Sequence, residues 1–178
     1  MHPRIEELID ALDNRRAELT RAVNDVPTSA RNRRPSEDRW SVAEVVEHLA
    51  LVEENITQRI KQLVVEQRAN GLGAERDSTS VAQTFDPAFT LDRSRKRLAR
   101  EAMQPRSGID AAAAWTHLEH ARQVTKDTLR ELDGMALCEV SAPHPAVGSL
   151  NGYQWFLFLA AHEGRHTAQI REIMAATA

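Results

Sequence analysis

Residues 159–170 of this 178-residue chain read Leu159-Ala-Ala-His-Glu-Gly-Arg-His-Thr-Ala-Gln-Ile170. Apolar side chains recur there at intervals of three and four, and the pattern extends over about residues 151–175, which predicts a long amphipathic helix. Two histidines, His162 and His166, lie within the apolar stripe, one helical turn apart on the same face. The stretch therefore predicts a helix that packs against others and carries two imidazoles on its core face.

A second helix begins within the sequence Arg39-Trp40-Ser41-Val42-Ala43-Glu44. Ser41 followed by Glu44 is a capping box, in which each side chain accepts a hydrogen bond from a free backbone N–H at the helix start. Helical spacing of apolar residues then continues to about residue 68, and His48 lies within this stripe. The second helix therefore contributes a third histidine on a core face.

Two further segments, residues 3–27 and 110–132, have the same helical periodicity and suitable end signals. The connection of residues 69–109 is too long for a simple turn, and its basic stretch, residues 92–102, is a candidate for a short helix. We find no clear strand pattern. The sequence predicts an all-α, four-helix bundle that forms one domain over residues 1–178, with the long connection between the second and third helices.

Composition narrows the classes of function. The formal net charge is −3 and no large block of like charge is present, so nucleic-acid binding is not suggested. The single cysteine, Cys138, excludes an intrachain disulfide and a cysteine-rich zinc site. No stretch resembles a signal peptide or reaches the roughly 18 apolar residues of a membrane span. We therefore expect a cytoplasmic protein with no nucleic-acid or membrane partner.

The sequence H-E-G-R-H also matches the pattern of zinc metalloproteases, in which the glutamate is the general base. Only twelve residues follow His166, which leaves no room for a downstream third ligand of that class, and Gly164 is unfavourable within a helix. We expect instead that His48 joins His162 and His166 at one divalent metal, because a buried ring without a partner costs about 1–3 kcal/mol. The alternative is three unrelated core histidines, and His117 is a reserve ligand.

Neighbouring side chains are candidates to orient these imidazoles. Glu44 and Gln169 each lie within a helical turn of one of the three histidines. We expect Glu163 to lie beside the site or in solvent, and Arg165 to be solvated rather than to bind an anionic substrate. Three aromatic residues of the last helix could wall a pocket: Tyr153, Trp155 and Phe158. Core packing is the simpler interpretation for Trp155 and Phe158.

Three stretches together carry a family resemblance: WSVAEVVEHL at residues 40–49, HPAVGSL at 144–150 and HEGRHTAQI at 162–170. With these motifs in this order, the chain resembles the DinB-like superfamily, known also as DinB/YfiT-like metalloenzymes. The resemblance implies a four-helix bundle that binds a divalent ion, typically zinc or nickel, through one histidine of the second helix and two of the fourth. Homodimers are common in the superfamily. The matching ligand positions here are His48, His162 and His166.

The resemblance also implies an activity. Characterised relatives include S-transferases that use low-molecular-weight bacterial thiols and a thiol-dependent maleylpyruvate isomerase. We therefore expect a thiol S-transferase-like enzyme that acts on a small electrophile, with catalytic residues that the sequence does not identify. Three neutral imidazoles leave a divalent ion its full charge, which suits lowering the pKa of a bound thiol or water. The alternatives are a metal-dependent hydrolase and a non-catalytic metal-binding or stress-response protein.

Overall fold

The computed structural model describes residues 1–95 and 97–177 of the chain. Within them, four long helices confirm the predicted all-α, four-helix bundle, and a one-turn helix lies in the connection between the second and third long helices. The helices are α1 (Pro3–Asn24), α2 (Val42–Ala69), the one-turn α3 (Ala88–Leu91), α4 (Ala111–Glu131) and α5 (Gly152–Thr177). No helix in this part of the chain is long and apolar enough to cross a membrane.

Local hydrogen bonds explain where the helices begin. The predicted capping box forms at α2: Ser41 Oγ accepts from the backbone N–H of Glu44 at 3.2 Å, and Glu44 Oε2 accepts from the N–H of Ser41 at 2.8 Å. Asp110 caps α4 by accepting from the N–H groups of Ala112 and Ala113. The end signals in the sequence therefore fixed these boundaries.

The apolar stripes pack into two clusters, because α2 packs along α4, and α5 packs along α1 and against α2. One cluster includes Leu12, Ile60 and Phe156, and the other includes Leu19 and Leu118; all five side chains are fully buried. Burial of large apolar side chains contributes about 1.5–3 kcal/mol each and is the main stabilising term for such a bundle.

A layer of buried charges lies near the boundary between the two clusters, and each long helix contributes one residue. Arg122 Nε donates to Glu53 Oε1 at 2.6 Å, and Arg122 Nη2 donates to Glu163. Arg16 binds the same two carboxylates: its Nε donates to Glu163 Oε1 at 2.7 Å and its Nη2 donates to Glu53 Oε2 at 3.2 Å. Two carboxylates balance two guanidiniums, so the layer is neutral. Its hydrogen bonds form only when all four helices adopt one register. The members of this charged layer are Arg16 (α1), Glu53 (α2), Arg122 (α4) and Glu163 (α5).

The basic stretch of the long connection does not form the short α-helix that the sequence suggested. In the described part of residues 92–102, the only helical element is the start of a single 3-10 turn, Glu101–Met103. Closely spaced cations repel one another along a helix, and the stretch has little apolar surface to bury. Its one leucine, Leu98, is 90% exposed.

Glycine is unfavourable in a helix interior, but close packing explains its presence at position 164 of α5. A Cβ at this position would lie 3.3 Å from Leu91 Cδ2 and 3.4 Å from Arg15 Nε. The missing side chain lets α1 and α3 approach α5 closely. Gly164 thus helps to hold the long connection against the helix that carries two of the histidines.

The linker between α4 and α5 is not wholly irregular, although the sequence shows no clear strand pattern there. It contains an antiparallel hairpin of β1 (Ser141–His144) and β2 (Gly148–Asn151), with Ala142 opposite Leu150 and both side chains buried. The two strands have only four residues each, and β1 contains Pro143, so neither gives an alternation long enough to indicate a strand in the sequence. The turn ends at Gly148, whose φ of +83° favours glycine.

Candidate metal centre

Three histidines from two helices meet on one side of the bundle. His48 of α2 faces His162 and His166 of α5, and each offers a nitrogen that lies within 4.8 Å of the other two. The ring centroids are 4.5–5.2 Å apart. Packing of α2 against α5 and the one-turn spacing on α5 create this arrangement. We call these three residues the histidine cluster; they are the same three that the sequence predicted as ligands.

Neighbouring acceptors fix two of the rings. His48 Nδ1 lies 2.7 Å from the carbonyl oxygen of Met103, which can only accept, so Nδ1 carries the proton and Nε2 keeps a free lone pair. His166 Nδ1 donates to Gln169 Oε1 at 2.7 Å in the same way. Both Nε2 atoms are therefore available to a cation.

The two imidazoles of α5 are spaced like two ligands of one divalent ion. His162 Nε2 lies 3.2 Å from His166 Nε2. Two nitrogens that each bind zinc at about 2.0–2.1 Å are about 2.8–3.4 Å apart at octahedral to tetrahedral angles. The described residues offer no partner to the buried Nδ1 of His162. Without a metal, His162 Nε2–H can donate to the lone pair of His166 Nε2, and a shift of that proton to Nδ1 frees His162 Nε2 for a cation.

Burial keeps the cluster uncharged at neutral pH. It lowers the pKa of His48, against a smaller opposing effect of the hydrogen bond to Met103. Burial also holds the pKa of His162 and His166 well below the usual range, and the neighbouring histidines and Arg165 lower both further. Neutral imidazoles are the protonation state that binds a metal.

Two glutamates that we expected near the imidazoles lie elsewhere. Glu44 accepts from the guanidinium of Arg34 and from the backbone of Ser41, so it does not orient His48. Glu163 is in the charged layer, because it follows His162 by about 100° around the helix and faces the bundle interior. The backbone carbonyl of Met103 takes the role assigned to Glu44, and Gln169 is in the position that we expected.

The remaining histidines stay outside the cluster. His117, the reserve ligand, bridges Glu47 Oε2 at 3.1 Å and Glu54 Oε1 at 2.9 Å, and so ties α4 to α2 instead of reaching the cluster. Burial opposes its protonation, but the hydrogen bonds and charges of the two glutamates prevail and raise the pKa of His117. His120 is exposed on α4.

A cavity of about 940 Å³ lies against the histidine cluster. Trp155 and Phe158, which we expected to be core residues, also form part of its wall. The hairpin adds His144, whose ring lies 4.5 Å from that of Phe158. Tyr153 points elsewhere, since its hydroxyl donates to Glu75 at 2.8 Å. The cavity thus places the histidine cluster beside apolar aromatic side chains, a combination that is typical of small-molecule sites.

Three buried polar atoms lack a hydrogen-bond partner among the described residues. They are Thr90 Oγ1, Trp155 Nε1 and His162 Nδ1, and all three residues line the cavity. A buried polar atom without a partner costs about 1–3 kcal/mol, and such atoms are enriched where a ligand or ordered water binds. These three atoms therefore mark places on the cavity wall where a polar ligand or an ordered water could bind.

Arg165 is not solvated, contrary to our expectation, and is only 8% exposed. Its guanidinium donates to the backbone carbonyls of Thr90 at 3.3 Å, of Arg95 at 3.2 Å and of Asp92. Arg165 therefore anchors the long connection over α5, directly beside the histidine cluster.

Comparisons with known proteins agree with this architecture. The sequence profile described as "DinB superfamily" matches residues 11–170. The chain is 28% identical over 143 residues to the uncharacterized protein YuaE of Bacillus subtilis (strain 168), and the match covers 80% of this chain and 82% of that protein. The crystal structure of TT2238, a four-helix bundle protein, is similar with a TM-score of 0.58 at 18% identity, over 94% of this chain and 98% of that one. The similarity to TT2238 shows that the two chains share a fold.

Proposed function

We propose that this chain, which belongs to the DinB superfamily, is a divalent-metal-dependent enzyme that transfers a low-molecular-weight thiol to a small electrophile. One observation carries the proposal: three neutral imidazoles line a cavity of about 940 Å³. The Nε2 lone pairs of His48 and His166 are free, and that of His162 becomes free when its proton moves to Nδ1. Structural zinc sites are closed by four protein ligands, whereas three ligands on a cavity wall leave positions open for a substrate. This favours a catalytic site over a purely structural one.

Zinc or nickel bound by the histidine cluster would supply a Lewis acid that stabilises the deprotonated form of a thiol at neutral pH. The chain's own residues provide orientation and shielding. Met103 and Gln169 hold two of the rings through their Nδ1 atoms. Trp155 and Phe158 provide an apolar wall against which an electrophile can pack while water is excluded.

Metal analysis of the protein purified without a histidine tag tests the site. After zinc or nickel loading we expect about one ion per chain, and His166→Ala should lose most of the metal affinity while the helical circular dichroism survives. His120→Ala is the matched control, because His120 is exposed on α4. A metal content far below one per chain in the loaded wild-type protein would contradict the proposal.

Thiol binding tests the reaction class. In the cobalt-substituted protein, we expect cysteine or glutathione to change the visible absorption spectrum, because sulfur enters the coordination shell of the ion. A spectrum that no thiol perturbs would exclude the S-transferase activity. Turnover of an activated ester by the same sample would then indicate the alternative, a metal-dependent hydrolase.

A further inference from the structure

Arginines dominate the polar part of the cavity wall. Acidic residues contribute only Asp38 and Glu172 to the described lining, and the guanidinium of Arg93 binds Glu172, with Nε 2.6 Å from Oε1. The arginines of the lining come from the end of the α1–α2 connection, from the basic stretch and from α5: Arg39, Arg93, Arg95, Arg97, Arg100 and Arg165.

Two of these arginines have structural roles, since Arg165 anchors the connection and Arg93 pairs with Glu172. The other four, which we call the arginine rim, keep donors available. The guanidinium of Arg97 stacks on the ring of Phe89 and donates one hydrogen bond to the backbone carbonyl of the same residue. The side chains of the remaining three form no hydrogen bond or ion pair with the described residues. The arginine rim consists of Arg39, Arg95, Arg97 and Arg100.

The charge of this region is opposite to that of the whole chain. Residues 93–100 contain five lysines and arginines and no acid, although the chain has a net charge of −3. Cations in such a short segment repel one another, and yet Arg165 fastens its backbone to α5 at Arg95, and just before the segment at Thr90 and Asp92. An anion bound among them would relieve the repulsion.

We infer that the cavity binds a small molecule with a carboxylate or phosphate group, which the arginine rim holds while the rest of the molecule extends to the histidine cluster. This inference rests on the proposed function, since it names the substrate class of the same cavity. Guanidinium groups bind carboxylates and phosphates through charge-assisted, often bidentate hydrogen bonds. The negative net charge of the chain and the concave shape of the site favour a small anion over nucleic acid.

Two buried donors support an anionic ligand independently of the rim. Thr90 Oγ1 and Trp155 Nε1 have no partner among the described residues, and both side chains line the cavity. These residues are only 2% and 6% exposed. A hydroxyl and an indole N–H are groups that an anion can satisfy.

NMR of the full-length, ¹⁵N-labelled protein tests the inference, because the tryptophan indole N–H groups report on the cavity. Trp40 and Trp155 line it, whereas Trp115 lies outside the lining and donates to Glu119 at 2.9 Å. The probes are succinate, inorganic phosphate and the neutral succinamide, titrated into metal-free and zinc-loaded protein at about 20 mM salt to limit screening. We expect an anion, but not succinamide, to shift the Trp40 and Trp155 signals and to leave Trp115 unchanged.

The double variant Arg95→Gln with Arg100→Gln should weaken anion binding at least about tenfold, because charge-assisted contacts are lost. Its matched control, Arg59→Gln with Arg68→Gln, removes the same charge from exposed positions of α2 and should bind like the wild type. A preference for succinate over phosphate, or the reverse, identifies the anionic group.

The inference is overturned if neither anion binds, if succinamide binds as well as succinate, or if the double variant binds like the wild type. Zinc content measured on the same samples separates this inference from the proposed function. Zinc uptake without arginine-dependent anion binding contradicts only the inference. Arginine-dependent anion binding without zinc uptake contradicts only the metal-dependent function.

Discussion

Replacing Glu163 by glutamine tests whether the glutamate of H-E-G-R-H stabilises the bundle or acts in the site. Glu163 is 2% exposed and accepts hydrogen bonds from Arg16 and Arg122. Glutamine keeps the shape of the side chain but removes the charge. The two guanidiniums would then share Glu53 as their one carboxylate, and one buried positive charge would be left uncompensated.

The expected loss follows from the burial of this layer. Removing one partner of a buried ion pair typically destabilises a protein by about 3–5 kcal/mol. The side chain of Arg16 is 14% exposed and can turn partly to solvent, so we expect the lower end, about 3 kcal/mol. At about 2–4 °C per kcal/mol for a domain of this size, the melting temperature falls by about 6–12 °C. A stability of about 5–15 kcal/mol leaves the variant folded.

Urea unfolding followed by circular dichroism at neutral pH measures this loss. The matched control is Glu131→Gln, which removes the exposed partner of Lys61 and should cost less than about 1 kcal/mol. Zinc uptake should be unchanged in the Glu163 variant, because that side chain contacts none of the three histidines. A variant as stable as the control, or one that is stable but takes up no zinc, would refute the assignment of Glu163 to the bundle.

Three further predictions concern other contacts. The raised pKa of His117 stabilises the fold below the pKa of the unfolded histidine, and this contribution is lost as pH rises through the folded pKa. His117→Gln should therefore flatten the fall in unfolding free energy as pH rises above about 6.5, the ordinary pKa of histidine, and an unchanged pH profile in urea unfolding would contradict the ion pairs with Glu47 and Glu54. Arg165→Gln should speed backbone hydrogen exchange in the connection that Arg165 anchors. If this variant exchanges no faster than the exposed-site control Arg171→Gln, Arg165 does not anchor the connection. Gln169→Leu should lower zinc affinity by about 10–100-fold with unchanged helicity, and an unchanged Kd would exclude an orienting role.

Features encoded within a few residues could be predicted from the sequence. The capping box at Ser41 and the helical spacing around His162 depend on neighbours along one helix, and the structure has both. Gln169 contacts His166 for the same reason, since residues three apart on a helix are adjacent. Local periodicity thus indicated the four long helices and the three histidines that meet.

Features that depend on contacts between distant segments were missed. The partner of His48 is the backbone carbonyl of Met103, 55 residues away, and a carbonyl leaves no sequence signal. In the sequence, Arg165 resembled a solvated side chain. Its partners are backbone oxygens of a connecting segment, and the path of that segment cannot be inferred from local sequence patterns. The basic stretch itself was visible, but its position against the cavity follows only from that anchoring.

The orientation of α5 decides what the motif H-E-G-R-H does in this protein. A metalloprotease needs its glutamate to reach a water molecule on the metal. Here His162 and His166 face the cavity, while Glu163 points into the bundle, where guanidiniums from α1 and α4 occupy both carboxylate oxygens. A carboxylate held in this way has no oxygen directed at the histidine cluster. The partner helices, and not the motif, therefore make Glu163 a stabilising residue and leave the two histidines to the site.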